Sequence, residues 1–183
     1  MFEGDCLVAG VGDRQLIGGD VHSIQLGPSP APQTRTVVDL PFRVDRILCS
    51  GRGSTVFRCG RQLLLCGLVP ATMAAAGLVP DIAPGTRIGP VSLSLPWPVS
   101  RFFYRAELIA SSETETLCTK GMLRRALPFE TVEAALSVFG TVMYLRPAAG
   151  SWVMTDLATE GQPEPVPTYP AGFLPYTIAH VNN

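Results

Sequence analysis

Val91-Ser92-Leu93-Ser94-Leu95 alternates apolar and small polar side chains, the period of two that marks a strand with one face in a core. Pro96-Trp97-Pro98 interrupts it, and Phe102 to Ile109 resumes as a strand. Working upstream, Thr36 to Leu40 and Phe42 to Leu48 read as strands, with Phe42, Val44 and either Ile47 or Leu48 turned inward. Gly51-Arg52-Gly53-Ser54 is a turn, and Thr55 to Cys59 and Arg61 to Cys66 form a second pair around Gly60. Pro70 to Ala76, closed by Gly77, suits one or two helical turns. Pro80-Asp81-Ile82-Ala83-Pro84-Gly85 follows as a loop. Short strands separated by turns every 8 to 12 residues predict a mainly β fold, a β-sandwich or jelly-roll-like pair of sheets.

Toward the start, Cys6 to Val11 and Val21 to Leu26 are apolar stretches that predict a hairpin. Gly27-Pro28-Ser29-Pro30-Ala31-Pro32 breaks regular structure and favours an extended linker. Toward the end, Pro128, Glu130, Glu133 and Gly140 carry helix start and stop signals, and Phe129, Val132, Leu136 and Phe139 recur at helical spacing. A short α-helix over 129–139 is therefore expected. Thr141 to Leu145 and Trp152 to Leu157 read as strands. From Gly161 onward Pro163, Pro165, Pro167, Pro170 and Pro175 alternate with Tyr169, Phe173 and Tyr176, an extended arm with buried area to offer. The expected organisation is a segment and linker over 1–33, a sandwich domain over 34–160 and an extended arm over 161–183.

Among the 183 residues, 46% are hydrophobic and 16% charged, against about 25% charged in an average soluble domain. A generous core or an uncovered apolar surface accounts for that. No apolar run reaches the roughly 18 residues of a membrane helix. The start, Met1-Phe2-Glu3-Gly4-Asp5, is acidic where a signal peptide is basic, so the chain is expected inside a cell. The 14 basic and 15 acidic side chains leave nothing to draw in a phosphate backbone. Arginine supplies almost all the positive charge, with Lys120 the single lysine, which suits forked contacts at protein interfaces. Cys6, Cys49, Cys59, Cys66 and Cys118 are odd in number and irregularly spaced, unlike a disulfide framework or a zinc knuckle, and are expected as reduced core thiols.

Few residues invite chemistry. His22 and His180 stand far apart and outside any nucleophile motif. Asp5 with Asp13, and Asp39 with Asp45, are candidate carboxylate pairs whose simpler reading is solvation. Gly10-Val11-Gly12-Asp13 is half a dinucleotide fingerprint, and Gly51-Arg52-Gly53-Ser54-Thr55 lacks the lysine and helix of a P-loop. Hairpin turns explain both. The chain is accordingly read as no enzyme, with no cofactor, no metal, no specific nucleic acid and no membrane as partners.

Gly77-Leu78-Val79-Pro80-Asp81-Ile82-Ala83-Pro84-Gly85, with the turn at 51–55, resembles the active-site hairpin and phosphate motif of dUTP-hydrolysing enzymes. That resemblance implies a nucleotide-binding or hydrolysing protein. The family's catalytic aspartate falls at Pro80, however, and its stacking tyrosine is missing. The succession Leu40-Pro41-Phe42-Arg43-Val44, Val56-Phe57-Arg58-Cys59-Gly60, Val69-Pro70-Ala71, Val91 to Leu95 and Tyr104-Arg105-Ala106-Glu107-Leu108-Ile109 resembles the small β-sandwich capsid and decoration proteins of phages and viruses. This second resemblance covers 36–110 and implies an oligomeric, many-copy virion component, assembled in the host cytoplasm, whose partners are its own copies or other virion structural proteins. On that reading Tyr169, Phe173 and Tyr176 anchor the arm on a partner, because large aromatics dominate interface energy. An intracellular regulatory binding module is the remaining alternative.

Overall fold

Glycine opens the two-residue loops Gly12-Asp13, Gly60-Arg61 and Gly121-Met122, which turn β-strands directly back on their neighbours. In the computed structural model, residues 2–3, 6–19, 36–51, 53–104, 107–136, 140–167 and 175–181 are described. Over these residues the protein is mainly β, with several antiparallel sheets in a sandwich-like fold. It divides into two compact units, 1–96 and 97–183, where the sequence predicts one domain over 34–160. The division falls inside Pro96-Trp97-Pro98, which reads in sequence as an interruption within a single sandwich.

In the first unit, β1 (Phe2–Glu3), β2 (Cys6–Val11), β3 (Arg14–Gly19) and β4 (Thr36–Asp39) form one sheet in chain order. A second sheet, also in chain order, holds β5 (Arg46–Gly51), β6 (Ser54–Cys59), β7 (Gln62–Leu68) and β8 (Arg87–Ser92). The expected strand pair Cys6–Val11 and 21–26 is corrected: β2 pairs with Arg14–Gly19 through Gly12-Asp13, and 20–35 lie outside the described residues. Gly12 and Gly60 take φ of 60° and 61°, as the first residue of a Gly-X hairpin loop requires. The core joins Val8 and Ile17 of the first sheet to Ile47, Phe57 and Cys66 of the second, with Val44 between. Phe42 meets Phe57 edge-on, ring centroids 5.9 Å apart, a favoured aromatic geometry.

The alternating stretch that predicts a strand over 91–95 enters the sheet earlier than its pattern suggests, because β8 covers Arg87–Ser92. Beyond it Leu93 N still donates to Leu63 O at 2.8 Å, but Ser94 N turns to Leu78 O at 2.8 Å. Backbone partners thus end the strand before the side-chain pattern does. Pro90 is tolerated because β8 is an edge strand. Between β7 and β8 the short helix α1 (Ala71–Ala75) starts after Pro70 and buries Thr72 and Met73. This is the helix expected over 70–76.

The second unit begins with β9 (Arg101–Tyr104), β10 (Glu107–Ser111), β11 (Thr116–Lys120) and β12 (Leu123–Leu127). The single strand predicted over 102–109 is thus a hairpin, with Leu108 opposite Tyr104. All five residues of β10 are buried, since a central strand with both faces covered loses its alternation. Next come β13 (Thr131–Leu136), β14 (Val142–Pro147), β15 (Val153–Asp156) and β16 (Glu164–Pro165), then β17 (Pro175–Thr177) and β18 (Ala179–His180). Their orders are β12-β11-β10-β9-β18 and β16-β15-β14-β13-β17. Ile109, Cys118 and Leu127 of one sheet share a core with Ala134, Met143 and Leu145 of the other.

The helix expected over 129–139 is overturned, since 131–136 is strand β13 and 137–139 lie outside the described residues. Ladders to β14 on one side and β17 on the other claim the backbone groups that helical bonds would use. Tertiary pairing here outweighs a modest local propensity. Glu133, read as a helix N-terminal acid, is instead the cross-strand partner of Arg146, whose Nε and Nη2 lie 2.9 and 2.7 Å from its carboxylate oxygens.

The Arg146 bonds hold the Glu133 carboxyl below its ordinary value of 4.5. A depressed acid stabilises the fold fully above that value and loses the contribution as pH falls through the lowered one. Urea titrations across that acid range are expected to show stability falling, and Glu133→Gln flattens the slope. At Gly67, φ is 97° and an added Cβ would lie 2.2 Å from Gly53 O. Gly67→Ala is expected to cost about 2–4 kcal/mol in urea unfolding, from strain and backbone collision together.

Candidate functional site

Three apolar doublets, Leu7-Val8, Leu16-Ile17 and Val37-Val38, stand on neighbouring strands of the first sheet. Successive strand residues point to opposite faces, so each doublet supplies both. Val8 and Ile17 face each other in the core. On the outer face the row Leu7, Gly18, Val37 crosses β2, β3 and β4, and the next row is Ala9, Leu16, Asp39. Leu7 is 44% exposed, Val11 58% and Val37 70%. Val38, 41% exposed, lies on the edge strand β4. Among the described residues β4 has no strand on its outer side, and an exposed apolar sheet face beside such an edge is a feature that monomeric proteins usually avoid.

Charge on this face is internally cancelled. Arg14 Nε donates to Asp39 Oδ1 at 2.9 Å and its Nη2 donates to Asp39 Oδ2, a forked pair in the open. The Asp39 hydrogen bonds push the Arg14 guanidinium up from its ordinary value. Beside the pair an open groove of about 810 Å³ is lined by Gly10, Gly12, Asp13 and Arg43 together with Leu40 and Phe42. Its wall is set by Gln15. The Gln15 amide accepts from Val44 N at 2.6 Å and donates to Val44 O at 2.9 Å, copying one rung of a ladder. Leu40 N adds a bond to Gln15 O at 2.8 Å.

Residues singled out from the sequence are scattered. Tyr169 and Phe173 lie outside the described residues, as does His22; Tyr176 stands in β17 opposite Ala134. His180 is opposite Arg101 in the ladder of β18 and β9. The Gly10-Val11-Gly12-Asp13 stretch is the tip of the β2–β3 hairpin. Asp39 is held by Arg14, and Asp45 accepts from Gly60 N at 2.6 Å. Asp81 sits in a turn after α1 with φ of 60°, and Ser54 and Thr55 are buried in β6. Among the described residues no three His, Cys, Asp or Glu side chains are placed to hold a metal ion. Burial pushes the Cys59 thiol up to about 11 and the Cys118 thiol up to about 12, against nucleophilic use.

The second unit contains a buried hydroxyl network. Ser111 Oγ and Thr116 Oγ1 lie 2.8 Å apart, and Thr116 Oγ1 is 2.6 Å from Phe129 O and 3.0 Å from Thr131 Oγ1. Thr131 N donates to Thr116 Oγ1 at 3.0 Å. Nearby, Arg101 Nε donates to Glu130 Oε1 at 2.8 Å and Ser100 Oγ donates to Ser111 O at 3.0 Å. The hydroxyls bond one another and the main chain, which suits fastening two sheets together. No helix among the described residues is long and apolar enough to cross a membrane. A scan against protein-family models matches none, and a search of curated proteins finds no match.

The exposed face was missed in the sequence, although the doublets carry its signal. Replacing Gln15 with leucine leaves the Val44 amide and carbonyl without these partners. Such a loss costs about 1–3 kcal/mol, read as a lower urea midpoint for Gln15→Leu with the secondary structure retained by circular dichroism.

Proposed function

We propose that the chain is a non-enzymatic structural or assembly protein that works by packing its outer sheet face against other copies of itself. The observation that carries this reading is the exposed face of Leu7, Val11 and Val37, beside β4, the edge strand among the described residues. The charges that flank it on those rows among the described residues, Arg14 and Asp39, neutralise one another. A face without net charge meets its own copy with no like-charge repulsion, whereas a basic or acidic face would repel itself. Burying such side chains yields about 25 cal/mol per Å² of apolar area, the driving force for a concentration-dependent assembly.

The finer placement, a capsid, decoration or head–tail component of a virion, rests on the resemblance of 36–110 to coat modules. The fold distributes that stretch between the first unit and the first two strands of the second. Other virion structural proteins are the further partners on this reading. Lysine on an edge strand blocks pairing between sheets. Light scattering on size-exclusion fractions is therefore expected to show oligomers that grow with concentration and that Val37→Lys dissolves. The same substitution should shift stability by only about 0.5 kcal/mol, as exposed positions do. A chain that stays monomeric at millimolar concentration, with or without the substitution, would sink the proposal.

A further inference from the structure

Strands β9 to β12 and β13 to β16 are two meanders whose strands pair with their neighbours in sequence. Each begins with an open edge, β9 in one and β13 in the other. One segment covers both. Pro175–Thr177 pairs with β13, and Ala179–His180 pairs with β9. Between these short ladders Ile178 enters the core shared by the two sheets and has no exposed surface.

The seat for this segment is built by residues outside it. Ile178 N donates to Val132 O at 3.0 Å, and Val181 N donates to Ser100 O at 2.6 Å. Ile178 O accepts from Arg101 Nη1 at 3.3 Å, and Arg101 is itself held by Glu130. Ser100 is fixed through its hydroxyl bond to Ser111 O. The described contacts are therefore main-chain bonds to a double edge and one Arg101 side-chain bond to the segment's backbone, plus two buried aliphatic side chains, Ile178 and Val181. Nothing in that set depends on the segment belonging to the same chain.

β16 and β17 occupy opposite edges of one five-stranded sheet, a lateral separation of about 19 Å at roughly 4.8 Å per strand. The ten Cα steps from Pro165 to Pro175 reach at most about 34 Å. A link of that length is long enough to reach its own seat.

We propose that residues 175–181 are an exchangeable strand, and that the seat on β9 and β13 accepts the same segment from a second copy of this chain. This rests on the assembly reading above and gives it a second interface, chemically identical to the one inside the monomer. Exchange of an identical element is a low-cost route to association, and strand addition to a sheet edge is a general mode of recognition. The tethered segment competes with an effective concentration in the millimolar range, so exchange grows as copies are crowded together.

Glu133 and Thr177 face one another in the ladder, at the Cα spacing of directly opposed residues, about 4.5–5.5 Å, which a disulfide spans. Three full-length variants make the test: Glu133→Cys, Thr177→Cys, and the two combined in one chain. The combined variant, oxidised when dilute, is expected to bridge within the chain, which reports the register. The single variants, mixed at high concentration, passed through mild denaturant and oxidised, are expected to give a cross-linked pair on a non-reducing gel. That band should increase with concentration and exceed the band from either variant alone at least tenfold.

Absence of a mixed band, with the intrachain bridge formed, overturns the exchange. Failure of the intrachain bridge overturns the seat itself. Light scattering on the same unoxidised samples separates the two readings. Oligomers without the mixed cross-link leave assembly through the outer face standing and remove exchange alone, while monomers throughout remove both.

Discussion

Hydrogen bonding between backbones that are neighbours in sequence is the constraint on which both units are built. Among the described residues each of the four sheets is built on a meander of chain-adjacent strands, to which β18 and β17 add at two edges, and a Gly-X loop at Gly12, Gly60 and Gly121 turns three of the hairpins directly back. Meanders satisfy their inner strands and leave two edges each. The cores at Phe57 and at Ile109 then form where two such sheets lay apolar faces together. What remains to be settled in such a molecule is the fate of the edges and of any second apolar face.

The two units treat this differently. In the second, β17 and β18 cover the first strand of each meander, and a hydroxyl network with the Arg101–Glu130 pair braces the junction. In the first, β4 ends its sheet with Val37 and Val38 exposed. A chain poor in charge has few means of guarding such an edge, and here it places one ion pair at the border.

The fold class was legible in sequence because apolar alternation and glycine turns are local signals. The strands near 36–40, 55–59, 61–66, 141–145 and 152–157 and the helix near 70–76 follow from them. Three kinds of misreading have one cause. The 129–139 stretch carries helical spacing, yet pairing on both sides of β13 decides it. The 102–109 stretch reads as one strand because Phe102, Phe103 and Tyr104 run into the fully buried β10 with no glycine or proline to mark the turn between. Thr116–Lys120 and Leu123–Leu127 went unread because Lys120-Gly121-Met122 is a turn between strands of weak alternation. The candidate site was legible only in the doublets at 7–8, 16–17 and 37–38, since an apolar pair announces two apolar faces only after the strand register is known. Of the anchors expected in the extended arm, Tyr176 is built into a ladder, and Tyr169 and Phe173 lie outside the described residues.

Arg101 and Ile178 are 77 residues apart, and that separation is also an interval of time. At the roughly 5–20 residues per second of synthesis, about 4–15 s pass between the emergence of the first edge and the arrival of its cover. Both meanders are complete only once Pro165, the end of β16, has emerged, and their first strands then stand open until Ile178 follows. On a message translated by several ribosomes, the covering strand of an older chain is already nearby. If the strand is exchanged as proposed, spacing along the gene becomes a clock for which copy supplies it.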